Sequence, residues 1–152
     1  MAPGAIVLIR IPLLLVCLAA CTQRSGSDTT PPDAGAARAG SAALVGPLWV
    51  LQSLPGTPDV AGNGGRKPDL RFSADGNAGG FSGCNSMGGP YVVSGDSLRL
   101  GPLAMTMMAC TDGMEVERAY ASALERVIRF ERRDSTLDLF DAAGLVARFR
   151  AQ

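Results

Sequence analysis

The sequence predicts an α+β domain: a small curved antiparallel sheet or partial barrel of about seven to eight strands with one packed helix. Three observations carry that expectation. From Pro47 onward, short runs alternate apolar with polar residues, Gly- and Asp-containing turn signals separate them, and a single stretch changes to helical spacing.

The elements follow in order. Leu48 and Val50 alternate with Trp49 and Leu51 in a first strand, and Leu70-Arg71-Phe72 makes a second. Asp75-Gly76 is a turn signal leading into a strand from Asn77 to Ser82. Tyr91 to Val93 and Ser97 to Leu100 flank Gly95-Asp96 as a hairpin. Ile128 to Arg132, Leu137 to Asp141 and Leu145 to Arg150 then form a meander with a turn at Ala142 to Gly144.

Between hairpin and meander, Val116, Ala119, Tyr120, Ala123, Leu124 and Val127 fall on one helical stripe. Asp112 with Glu115 three residues on reads as a capping box. Glu117, Arg118, Glu125 and Arg126 are expected on the solvated face, with the helix packed on one opening or face of the sheet.

The segments before this domain speak to export. Ile6 to Ala20 is an apolar run interrupted by Arg10 and Pro12, shorter than the roughly 20 residues that span a bilayer. It ends in Leu18-Ala19-Ala20-Cys21, which resembles the lipobox of bacterial lipoproteins. Residues 1–20 are therefore expected to be a signal peptide that takes Cys17 with it, and Cys21 the lipidated first residue of the mature chain. More than one acyl chain there makes a durable membrane anchor, at about 0.8 kcal/mol per buried methylene. Thr22 stands where an aspartate would favour inner-membrane retention, so the outer membrane is expected, with the domain facing the periplasm. Residues 21–46 are rich in Ser, Thr, Gly, Ala and Pro and read as a disordered tether. A short Ala-rich helix over Ala34 to Ala43 is disfavoured by Gly35 and Gly40. As a coil the tether reaches roughly 28 Å.

Composition narrows the chemistry of the remaining domain, residues 47–152. Once the leader takes Arg10 with it, the whole chain that is left has 13 basic residues against 14 acidic ones, so no basic footprint for nucleic acid exists. The chain contains no histidine, which removes the usual general base, the Ser-His and Cys-His pairs and most zinc sites. Asp69, Asp75, Asp96 and Asp112 all sit beside Gly, Pro or turn signals and read as solvated turn residues. Gly79-Gly80 and Gly88-Gly89 lack a following Gly-Lys-Ser/Thr, so strand bulges or close backbone approach explain them better than a phosphate cradle. Cys84 and Cys110 have three readings in an oxidising compartment: a structural disulfide, which comes first, buried thiols, or a reactive pair. Met87, Met105, Met107, Met108 and Met114 read as gap-filling core residues, with a Cu(I) site as the sharper alternative. Asn85 is expected to turn or cap the chain beside Gly83, and Thr106 to bond backbone.

With these elements placed, the chain resembles the META/HslJ-like domain family of bacterial envelope proteins from Leu48 to Phe149. The resemblance rests on Leu48-Trp49-Val50-Leu51 with Gly56, on Gly79-Gly80-Phe81-Ser82-Gly83-Cys84-Asn85 followed by Tyr91, and on Leu103-Ala104-Met105-Thr106-Met107-Met108-Ala109-Cys110. Glu117 in the helix and the Leu137-x-Leu139 hairpin with Gly144 complete it. It implies a compact α+β domain, often on secreted proteins or lipoproteins, whose members are linked to heat stress, novobiocin tolerance and, in a parasite relative, virulence. The resemblance supplies no catalytic residues. Cys84 and Cys110 lie in the two segments that best identify the family, which favours their pairing.

The expectation is a non-enzymatic, monomeric envelope lipoprotein without cofactor or metal. Its partners are the membrane, through lipid on Cys21, and an unknown envelope protein or ligand, in a stress-linked binding or structural role. Two alternatives stand beside it: a small apolar-ligand carrier, and a redox or copper-handling protein.

Overall fold

A computed structural model describes residues 40–152; Cys17, Cys21, the leader and most of the expected tether lie outside them. Nine strands and one main helix succeed one another: β1 (Trp49–Ser53), β2 (Asp69–Phe72), β3 (Asn77–Phe81), β4 (Ser86–Ser94), β5 (Ser97–Leu100), β6 (Ala104–Met105), α1 (Met114–Glu125), β7 (Arg129–Arg133), β8 (Thr136–Phe140) and β9 (Leu145–Ala151). The strands run in the order β3-β2-β1-β9-β8-β7-β5-β4, and β3 pairs with β4 to close an antiparallel barrel of eight. The ninth strand, β6, lies outside that ring and, among the described residues, pairs only with β4. The α+β partial barrel expected from the pattern is therefore the fold.

Closure is uneven around the ring. β7 and β8 share five register pairs, whereas β5 and β7 meet at one, Ser97 opposite Arg129. Backbone bonds from Leu98 to Ile128 and from Phe130 to Asp96 reinforce that seam.

Alternation puts one face of each strand inside. Trp49, Leu51, Leu70, Phe72, Leu98, Leu137, Leu139 and Phe149 are all fully or almost fully buried. From α1, Val116, Tyr120, Ala123 and Leu124 join them, the helical stripe read from the sequence. Tyr120 stacks at 6.0 Å from Phe149 and donates from its hydroxyl to the Asp69 carbonyl, tying helix to barrel. Burial first, and then the nearby Asp69 charge, raise the Tyr120 pKa well above its ordinary value.

Four expectations need correcting. Asp112 does not cap α1: the N-cap is Gly113, at φ 85°, with no side-chain cap. A Cβ there would lie 2.2 Å from the Gly83 carbonyl oxygen, so close approach to the β3–β4 turn, not capping chemistry, chooses this residue. β4 begins at Ser86, well before Tyr91, because Gly88 and Gly89 are strand residues opposite Gly79 and Ala78. β6 is an additional strand, hidden from period-2 reading by its length of two residues. Residues 40–44, placed by the sequence in the tether, are helical, and Leu44 is completely buried. The indole of Trp49 donates to the Leu44 carbonyl at 2.9 Å, and Arg132 donates to Ala43. Leucine burial outweighs the poor helix propensity of Gly40, which is itself confined between Gly95 and Val93.

Candidate functional site

Three of the segments that carry the sequence signature, around Ser82 to Asn85, Thr106 to Cys110 and Glu117, meet in one place. The β3–β4 turn, Ser82 to Asn85, lies against the start of α1 on one side and against the loop after β6 on the other. Glu117, in the first turn of the helix, faces into this junction and is only 8 % exposed. Its Oε2 accepts from the Ser82 hydroxyl at 2.5 Å, from the Asn85 amide at 2.7 Å and from the Cys84 amide at 3.3 Å. Its Oε1 accepts from Asn85 Nδ2 at 3.0 Å. Expected on the solvated face, Glu117 is instead the buried hub of the turn.

Burial pushes the Glu117 carboxyl upward. The Ser82 and Asn85 side-chain bonds, with the Asn85 and Cys84 amides, outweigh it and hold the group below its ordinary pKa. Glu117 is therefore an ionised carboxylate saturated by its donors.

Asn85 passes the contact onward. Its Oδ1 accepts from the Met108 amide at 2.7 Å and from the Thr106 hydroxyl at 2.8 Å, and its Nδ2 also donates to the Met108 carbonyl. Thr106 Oγ1 accepts from the Ser86 backbone as expected, and Asn85 closes its own turn through a carbonyl that accepts from the Ser82 amide, while its side chain bridges distant segments. Cys84 and Cys110 are joined by a disulfide, with Cα atoms 5.9 Å apart, which fastens the same loop a second time. Carboxylate, turn and loop thus form one polar assembly. Among the described residues, no buried side-chain polar atom lacks a hydrogen-bond partner.

The arrangement restrains the chemistry of each group. Ser82 is fully buried and its hydroxyl is engaged with Glu117 and the Asn85 carbonyl, so it cannot meet a substrate. Asp69, read from sequence as a solvated turn residue, is buried. It accepts from the Phe81 amide and pairs with Arg66 at 2.7 Å, because Gly80 brings the β3 backbone against it. Asp75 does serve its turn, accepting from Asn77.

The methionines divide. Met87 is buried and Met105 packs partly on the core, as expected of gap fillers. Met107 and Met108 do not: they are 98 % and 56 % exposed, held outward by the fastened loop. The sequence marked this segment by its methionines and its family resemblance, but neither signals exposure, because methionine is equally at home in a core.

Concave surface lies elsewhere. A groove of about 430 Å³ runs between α1 and the β8–β9 turn, past Thr57, Ser122, Arg126 and Asp141. Another, of about 800 Å³, borders the N-terminus of α1 near Asp59 and Arg118. Both open at the surface, and the side chains named above are buried inside the barrel. Among the described residues no cluster of three or more Asp, Glu or Cys is arranged to hold a metal, and no helix is long and apolar enough to cross a membrane.

Comparison with known proteins agrees with this architecture. An NMR structure of a protein from Burkholderia xenovorans is 28% identical, covering 86% of this chain and 97% of that one, with a TM-score of 0.55. A second NMR structure, 23% identical over 72% of this chain and 93% of its own, has a TM-score of 0.57. The crystal structure of a DUF4847 family protein from Bacteroides vulgatus has a TM-score of 0.51 at 13% identity, covering 70% and 93%. These last two share the fold alone. None of the curated proteins compared with the chain matches it. A family model for the META domain matches residues 42–152, from within the helical turn before β1 to the last residue after β9, and the chain belongs to the META domain family.

Proposed function

We propose that this protein is a non-enzymatic envelope lipoprotein, anchored in the outer membrane through lipid on Cys21, whose META domain binds another envelope component in the periplasm under stress. One observation supports this most. The groups best suited to chemistry at the signature junction, Glu117, Ser82, Asn85 and the two cysteines, are all committed to holding a loop, and that loop turns Met107 and Met108 outward. Such an arrangement suits recognition better than turnover. The disulfide fits an oxidising compartment. The oxidised cysteines remove the thiolates that a copper-handling site would use.

Fractionation of cells expressing the full chain tests the address. The wild-type protein should sediment with outer membranes and yield an acylated N-terminal peptide, while Cys21→Ala should move to the soluble periplasmic fraction. A Cys21→Ala chain that still sediments with membranes overturns the anchor. Persistent free thiols at Cys84 and Cys110 in periplasmic extract would overturn the oxidised compartment.

A further inference from the structure

We infer that the free edge of β6 and the loop that follows it is a strand-addition site for an extended, uncharged, apolar segment of another envelope protein. The inference rests on the binding reading above and assigns it a place and a partner chemistry. β6 is the one strand outside the closed ring, and among the described residues only β4 pairs with it. Met105 stands opposite Met87 and Ala104 opposite Gly88, while the Thr106 amide donates to Ser86 and the Met108 amide to Asn85 Oδ1. Alternation along an extended chain then directs the amide and carbonyl groups of Met105 and Met107 away from β4. Neither pair of groups has a partner among the described residues.

Native sheet edges are ordinarily guarded by charge, proline, bulges, short strand length or a covering element, and here only the two-residue length of β6 and the preceding Pro102 act in that way. This edge has no such charge: from Leu100 to Thr111 the sequence is uncharged. It is also held in place before any partner arrives. Asn85 fixes Thr106 and Met108, the disulfide fixes Cys110, and Pro102 is seated over Gly89, where a Cβ would lie 2.4 Å from the Pro102 carbonyl oxygen. A preorganised edge loses little entropy on pairing.

The chemistry of the edge selects its occupant. An uncharged tract flanked by exposed methionine side chains matches apolar side chains of varied shape, and charged segments would be desolvated without compensation. Leu103 to Met107 spans about 17 Å. That is too short to bury the roughly 800 Å² per partner of a stable interface between folded copies, but enough for a peptide ladder.

The probe is a capped Val-Thr-Val-Thr-Val peptide added to the full chain, with a control peptide N-methylated at alternate amides. Amide hydrogen exchange is read by NMR. Saturable slowing of exchange by about tenfold or more at Met105 and Met107, lost with the N-methylated control, is expected from strand addition. Met107→Lys should weaken the effect about tenfold by placing a charge on the edge, without loss of fold because this side chain is 98 % exposed. No protection at millimolar peptide overturns the inference, as does equal binding by the N-methylated peptide. Protection that grows with protein concentration in the absence of peptide assigns the edge to a second copy and overturns it too. Because lipidation and address do not enter this measurement, a failure here leaves the fractionation result standing, and the reverse also holds.

Discussion

Glu117 accepts four hydrogen bonds within one junction, and its charge makes each of them stronger than a neutral equivalent. Glu117→Gln should therefore cost about 2–4 kcal/mol, since the amide nitrogen must face donors that the carboxylate accepted. The sign of the pH effect follows from the lowered carboxyl pKa. An unfolded glutamate titrates near 4.5, so the contribution of Glu117 is fully present above that value and is lost as pH falls through the lower folded value. Urea unfolding at a series of pH values should show an acid decline in the wild type that is shallower in Glu117→Gln. Parallel curves would mean that another group carries the decline. Glu117 was misplaced by sequence reasoning because helical periodicity separates apolar from polar residues and has no signal for a carboxylate whose partners arrive from 32 to 35 positions away. Asp69 was hidden for the same reason, its amide donor lying 12 positions along the chain.

At the scale of elements, turns and strands are fitted by backbone contact as much as by pattern. A Cβ on Gly80 would sit 2.2 Å from the Asp69 carbonyl oxygen, so Gly80→Ala should force β2 and β3 apart. The expected loss is about 1–3 kcal/mol or more, set by overpacking against backbone that cannot rotate away. Gly88→Ala, where the nearest atom is 3.6 Å distant, should cost less, and thermal unfolding of the two variants side by side checks the contrast. The disulfide closes a loop with a sequence separation of 26, worth about 3.5 kcal/mol in the chain-entropy model. Cys84→Ser with Cys110→Ser should lose most of that and raise hydrogen exchange from Thr106 to Cys110, while Asn85 continues to hold Met108. Seven of the nine strands and the helix were legible because each buries one face over several residues and so repeats its pattern. β6 and the early half of β4 were not. A two-residue strand has no period, and paired glycines carry no side chains by which to signal a face.

For the whole molecule, the starting point of the fold matters more than composition suggested. Residues 40–46 are nearly featureless in sequence, yet Leu44 is completely buried, its carbonyl receives the Trp49 indole, and Val45 bridges to Phe72. Arg132 lies over the Trp49 ring at 5.3 Å and bonds Ala43, closing the same contact from β7. A single leucine amid alanines gives no periodic signal, so the boundary read at Pro47 cut through a packing contact. Leu44→Ala should cost about 2–5 kcal/mol by leaving a cavity in the core. A chain beginning at Pro47 loses that side chain, the indole's acceptor and the Val45 bridge together, so its unfolding midpoint should lie below that of Leu44→Ala. Trp49 is the sole tryptophan, and its emission reports this contact directly. A red shift in the shortened chain, with β-sheet circular dichroism retained, is the expected result. Identical midpoints and emission for chains starting at 40 and 47 would show that the helical turn adds nothing to the barrel, and that the indole is shielded by Arg132 and the strand core alone.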